Sequence, residues 1–221
     1  ILYLIFGRPI YREKIFPCSD DEKVRYQQNL LKRTVPYEIT INEHVIHKHR
    51  NLIELNFETD KSFLSKNNKI KIITDGKEKF RLLFEDIKNA KNYIHIQYYI
   101  LKKDGIGKQL FSLLEQKLLE GVDVYILYDD IGSRKLSISS LKQLTKNNAK
   151  IKRFFKSKFP LINFRMNYRN HRTIVTIDGN IGYTGGFNVG DEYLGLDKKF
   201  GYWRDTHLRI EGEAVGSLEY R

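Results

Sequence analysis

A chain of 221 residues with 39 Lys or Arg against 27 Asp or Glu carries a formal charge of +12. Its apolar content of 41% supports a folded core in one large domain, or one domain and an appendage, and excludes a disordered chain. The charge calls for an anionic partner, and the single cysteine, Cys18, excludes an internal disulfide and a cysteine-built zinc cluster.

The first residues, ILYLIFGRPIYREK, hold six apolar positions before Arg8, Arg12 and Lys14. A full span needs roughly 20, so residues 1–15 are expected to be the end of a transmembrane helix with its basic flank on the cytoplasmic side. Residues 16–69 then read as a juxtamembrane connector. A short helix is expected to start at Ser19-Asp20-Asp21-Glu22 and continue over Val24–Leu31, with Pro17 and Pro36 as breakers. His44, His47 and His49 are taken as a solvated polar segment, since neither cysteine nor a ligand spacing accompanies them.

Regular alternation begins near residue 70. Ile70–Thr74 reads as a strand, Asp75-Gly76 as a turn, and Glu78–Ala90 as a helix with Phe80, Leu83, Phe84 and Ile87 at helical spacing. Tyr93–Leu101 is a second strand, in which His95 is expected to be structural. Gly107–Glu120 is an amphipathic helix stopped by Gly121, Val122–Tyr128 a buried strand, Ile138–Asn147 a helix and Ala149–Phe155 a strand. Strands alternating with helices predict an α/β domain over 70–221, a layered sandwich with a largely parallel or mixed sheet flanked by helices. Its functional residues should lie at strand ends.

From Ile131 to Ile177 there are twelve Lys or Arg and no Asp or Glu. This basic run abuts the stretch NHRTIVTIDGNIGYTGGFN, Asn170 to Asn188, where the chemically capable residues gather. His171 is placed at the start of a strand. Alternation then puts His171, Thr173, Val175 and Ile177 on one face, and Arg172, Ile174, Thr176 and Asp178 on the other. Asp178 is therefore expected to pin the turn at Gly179-Asn180 or a neighbouring loop. Gly185 and Gly186 would let backbone approach a ligand, and Asn188 could donate its amide to a phosphate oxygen.

The spacing from His171 to Asp178 and on to Gly185-Gly186-Phe187-Asn188 resembles the phospholipase D superfamily signature: His, any residue, Lys, four residues, Asp, six residues, Gly, Gly or Ser, any residue, Asn. The flanks YDDIGSR, NYRNH, GFNVGDEYLG and FGYWRDTHLRIEG are similar to the bacterial cardiolipin synthase family. The resemblance implies a phospholipase D-like domain in which His171 attacks a phosphodiester phosphorus. A phosphatidyl-histidine would then be resolved by an alcohol. It also implies that Asn188 binds phosphate and that Asp205 orients the imidazole. The implied reaction is transfer between two phosphatidylglycerol molecules, giving cardiolipin and glycerol at the cytoplasmic face of the cell membrane, with no metal, no cofactor and no nucleic acid.

Two departures stand out. Thr173 occupies the place of the signature lysine, and the chain carries one motif where the family's enzymes carry two, so a second phospholipase D-like half or a homodimer would be needed to complete the site. Two other readings remain open: a phosphodiesterase or nuclease of the same superfamily acting as a homodimer, and a non-catalytic module that binds anionic lipid.

Overall fold

The computed structural model describes residues 43–60, 64–65, 67–136, 138–154 and 169–219. The expected membrane-helix end, the helix over Val24–Leu31 and much of the basic run before His171 lie outside the described residues. Among the described residues no helix is long and apolar enough to cross a membrane.

Helix α1 (Glu43–Asp60) belongs to a unit of its own. Its turns are tied locally, while Leu52 and Leu55 stand exposed. Arg50 pairs with Glu54 at 2.7 Å, while Asn56 Nδ2 and Thr59 Oγ1 donate to the carbonyls of Leu52 and Leu55. None of its described side chains is buried, so no core-facing stripe marks it in the sequence.

The unit from Asn67 onward is built on seven strands. In chain order they are β1 (Lys69–Asp75), β2 (Tyr93–Tyr98), β3 (Asp123–Asp129), β4 (Lys150–Phe154), β5 (Ile174–Ile177), β6 (Ile181–Gly185) and β7 (Arg204–Glu211). Across the sheet the order is β1-β7-β6-β5-β2-β3-β4. β2, β3 and β4 run parallel, and every other pairing is antiparallel. The two parallel pairings require crossovers, supplied by α3 (Gly105–Leu119) and α4 (Ile138–Lys146). α2 (Gly76–Lys88) follows β1 and is capped by Asp75, whose carboxylate accepts from Glu78 N at 2.9 Å. The chain ends in a short α5 (Ala214–Glu219).

Alternation along the strands sends Ile94, Ile96 and Tyr98, then Val124, Ile126 and Tyr128, then Val175 and Ile177, to one face of the sheet. There they meet Phe80, Leu83 and Ile87 of α2, Leu110 and Leu114 of α3, and Leu141 and Leu144 of α4. On the other face α5 covers β5 to β7, and Leu218 and Val215 occupy the space a side chain at Gly182 would need. His95 lies on this second face, stacked on Tyr93 at 4.8 Å and edge-on to Tyr125 at 4.9 Å, with Thr176 Oγ1 at 3.5 Å.

A buried polar network ties α2 to the sheet. Arg209 of β7 grips Asp86 in bidentate fashion, Nε to Oδ2 at 2.7 Å and Nη2 to Oδ1 at 2.9 Å, and the Tyr183 hydroxyl donates to the same carboxylate. Nearby, Lys79 is fully buried, donating to the Tyr98 hydroxyl at 2.8 Å with its ammonium over the Phe80 ring. Burial holds its pKa well below the ordinary lysine value.

His207 of β7 is also fully buried, and neither ring nitrogen has a hydrogen-bond partner among the described residues. Burial first, and the Lys79 charge second, push its pKa down to about 3. The unfolded chain therefore takes up a proton below the ordinary histidine value of about 6.5 that the folded chain refuses. Stability is fully present above that pH and falls as the pH drops through it toward 3. Between pH 7 and pH 5 the expected loss is about 2 kcal/mol. Urea unfolding at the two pH values, with His207→Leu as the variant that should flatten the difference, measures it.

Candidate active site

Strand polarity gathers the site. β5 runs antiparallel to both neighbours, with Ile174 opposite Gln97 and Thr184. The start of β5 therefore lies beside the ends of β2 and β6, and β3 ends on the same side. The segments 171–173, 99–101, 129–133 and 185–189 converge there. Both ladders stop at Ile174, so residues 171–173 stand just outside the strand that the sequence pattern would begin at His171.

His171 is exposed, and its ring stacks on Tyr99 with centroids 3.9 Å apart and planes 25° from parallel. Among the described residues it makes no hydrogen bond. Tyr99 is itself set from behind. Its carbonyl accepts from Ser133 Oγ at 3.1 Å, and a Cβ at Gly132 would fall 2.3 Å from that carbonyl and 2.9 Å from the ring. Only glycine leaves the ring this room. Asp129, buried at the end of β3, accepts from Ile131 N at 2.9 Å and Gly132 N at 3.0 Å, and from Asn170 N at 3.4 Å. Its partner Arg169 lies at 3.8 Å, also buried. Asp129 thus ties the turn that carries Ser133 to the residue before the histidine.

Thr173 points inward at 4% exposure, its hydroxyl 3.5 Å from Asn188 Oδ1. Asn188 is held on both ends. Its Oδ1 accepts from Ile100 N at 3.0 Å, and its Nδ2 donates to the Tyr193 hydroxyl at 3.1 Å, leaving the second Nδ2 proton for a ligand. Burial pushes the Tyr193 hydroxyl's pKa up to about 12, so it stays neutral there. On either side Phe187 and Val189 are fully buried, and Val189 bridges to Leu101.

The two glycines of the signature approach protein, not open space. Gly185 has φ +152, and a Cβ there would sit 2.4 Å from Thr206 O. At Gly186 a Cβ would meet the Asp205 carboxylate at 2.0 Å. The expected link from Asp205 to the imidazole is not present among the described residues: Asp205 accepts from Thr206 N at 2.7 Å and packs on Gly186. Asp178 lies at the far end of β5, with φ +52, and its carboxylate accepts from Lys91 N, Asn92 N and Tyr93 N at 2.7–2.9 Å. Burial opposes its charge, but the three N–H groups hold its pKa below the usual carboxylate value. It fastens the loop before β2.

The structure thus brings His171, Thr173 and Asn188 together, sets Gly185, Gly186 and Asp205 against β7, and places Asp178 away from them. Tyr99, Asp129 and Tyr193 belong to the same site, although sequence reasoning did not single them out. Their signal was position, since Tyr99 and Asp129 sit where parallel strands end. Among the described residues no group of three or more His, Cys, Asp or Glu is placed to hold a metal ion.

A mixed seven-stranded sheet with helices on both faces and a histidine at the converging strand ends is the phospholipase D-like fold. Residues 83–201 match the family described as "Cardiolipin synthase, PLD-like domain". The chain is 49% identical over 223 residues to a cardiolipin synthase of Oceanobacillus iheyensis, covering all of this chain and 46% of that protein. It is 49% identical over 224 residues to cardiolipin synthase 2 of Staphylococcus epidermidis, with the same coverage. The chain belongs to the cardiolipin synthase family of phospholipase D-like proteins, and spans about half the length of the curated relatives it matches. The fold alone is shared with the crystal structure of phosphatidylserine synthase from Haemophilus influenzae, at a TM-score of 0.58 and 18% identity over 77% of this chain and 39% of that one.

Proposed function

We propose that this chain is the first half of a phosphatidyltransferase that joins two phosphatidylglycerol molecules at the cytoplasmic face of the membrane, with residues 1–15 as anchor end, 16–69 as connector and 70–221 as first catalytic domain. The observation that carries the reading is the exposed His171 imidazole, stacked flat on Tyr99, whose chain neighbour Ile100 holds the donor amide of Asn188 through its N–H. In the first step an imidazole nitrogen attacks phosphorus, the bond to the departing glycerol oxygen breaks, and that oxygen takes a proton. In the second, the hydroxyl of another phosphatidylglycerol gives up its proton and attacks the phosphohistidine, releasing His171 with cardiolipin formed. Asn188 Nδ2 would donate to a phosphoryl oxygen throughout. The acid and base for these proton transfers would come from a second phospholipase D-like half or a second copy of the chain.

Thr173 supplies a neutral hydroxyl where the signature has an ammonium, which lowers the stabilisation of charge that builds on the phosphoryl oxygens. A single lost donor of this kind is worth about 3 kcal/mol, or roughly a hundredfold in rate. Thr173→Lys in the gene product at the length of its relatives should therefore raise transfer between phosphatidylglycerol molecules in vesicles about a hundredfold. If that protein makes no cardiolipin with or without the lysine, the proposal fails. Vesicle binding without turnover would then favour the lipid-binding reading.

A further inference from the structure

We propose that the loop of residues 196–204 is the surface through which this domain meets an anionic lipid bilayer. Three large apolar side chains stand in solvent on this one loop: Leu196 at 60% exposure, Phe200 at 51% and Tyr202 at 71%. Lys198, Lys199 and Arg204 are exposed among them. The loop's acidic residue, Asp197, is turned to local use, accepting from Lys199 N through Oδ1 at 2.9 Å and from Gly201 N through its carbonyl, also at 2.9 Å.

Apolar surface and positive charge coincide on this loop. On β1 the exposed Ile70 and Ile72 alternate with Lys69 and Lys71, so strand geometry sends the two kinds of side chain to opposite faces. In the loop the Lys199 ammonium lies over the Phe200 ring, 5.6 Å from its centroid. Aromatic and aliphatic groups flanked by lysines suit the boundary between headgroups and acyl chains, where rings settle among the headgroups and cations meet anionic phosphates. The formal charge of +12 adds a long-range pull toward such a surface. The turn is already shaped by Gly195 and Gly201, at φ +72 and +63, so little ordering is required on contact.

The loop is also joined to the site. Trp203 lies beneath it, edge-on to Phe200 at 5.6 Å and to Tyr193 at 5.0 Å, and Tyr193 holds Asn188. Two side chains in contact, Trp203 and Tyr193, thus connect the loop's Phe200 to Asn188. The inference rests on and deepens the proposed phosphatidyl transfer by naming the face that draws substrate, but it is tested without turnover.

Trp203 is the sole tryptophan of the chain, so its emission reports on this loop alone. The 221-residue chain is titrated with vesicles of equal parts phosphatidylglycerol and phosphatidylcholine, and with phosphatidylcholine alone. The expected result is a blue shift and protection from acrylamide quenching with the anionic vesicles only, weakening as salt is added. Substituting Leu196→Ser, Phe200→Ser and Tyr202→Ser together should weaken vesicle affinity at least about tenfold, and Lys198→Glu with Lys199→Glu should do the same while flattening the salt dependence. Vesicle binding that leaves Trp203 emission unchanged, or that survives both variants, overturns the inference. So does an emission shift that follows protein concentration without lipid, which would make the loop an interface between chains. Intact loop binding with no phosphatidyl transfer in the longer Thr173→Lys protein would leave the inference standing and overturn the proposed function alone.

Discussion

His171→Ala, made in the Thr173→Lys background, is expected to abolish phosphatidyl transfer while leaving the unfolding transition where it was. The side chain is exposed, and among the described residues it forms no hydrogen bond; its one ring contact is the stack on Tyr99. Truncating an exposed side chain of this kind changes stability by no more than about 0.5 kcal/mol. Rate behaves differently, because a nucleophile that forms a covalent intermediate has no partial substitute. Its removal should cost at least about four orders of magnitude. Two measurements separate the roles: radiolabelled phosphatidylglycerol should trap a phosphorylated protein in the parent and none in the variant, while urea midpoints coincide. A variant that keeps more than about a hundredth of the activity would remove His171 from the chemistry.

Asp86→Ala is expected to be the most destabilising single change, at about 3–5 kcal/mol. The carboxylate is 9% exposed, receives both prongs of Arg209 and accepts the Tyr183 hydroxyl. Asp86 is on α2, Tyr183 on β6 and Arg209 on β7, so a single anion satisfies groups from three elements. Deleting it leaves the Arg209 guanidinium with Glu211 as its one anionic partner among the described residues, and a buried phenol without an acceptor. Tyr183 is itself fully buried, and burial and the adjacent anion push its pKa up. The measurement is the urea midpoint at neutral pH, and Asp86→Asn should recover only part of the loss because it keeps an acceptor without the charge. A loss below about 1 kcal/mol would mean that the guanidinium finds water instead.

The layered α/β core was legible because its elements carry their own periodicity. β2 alternates Ile94, Ile96 and Tyr98 against His95 and Gln97, and α2 places Phe80, Leu83 and Ile87 on one stripe. Helix α1 was not legible, since local polar ties hold it and no buried stripe announces it. Nor was β7, which slots between β1 and β6 and so places the last described strand one position in from the sheet's edge. Sheet order of that kind depends on long-range pairing, to which no local pattern responds. At the site, the histidine, the glycines and Asn188 were visible as a spacing. The partner on which His171 lies was not, because Tyr99 looks in sequence like one more aromatic in a strand rich in them. Asp205 was assigned to the imidazole by resemblance, and in the structure it lies against Gly186. His171 stands before β5 and Asp178 after it, so the length of the strand keeps them apart, and Asp178 serves the loop before β2 through three backbone N–H donors.

The Asn188 amide has only one way to face. With the Ile100 N–H on its oxygen, turning the amide end for end would set hydrogen against hydrogen, so the atom left over for a visitor is always a proton. The pocket's polarity is settled by the fold before any substrate arrives. A phosphoryl oxygen would meet a donor there in its first encounter.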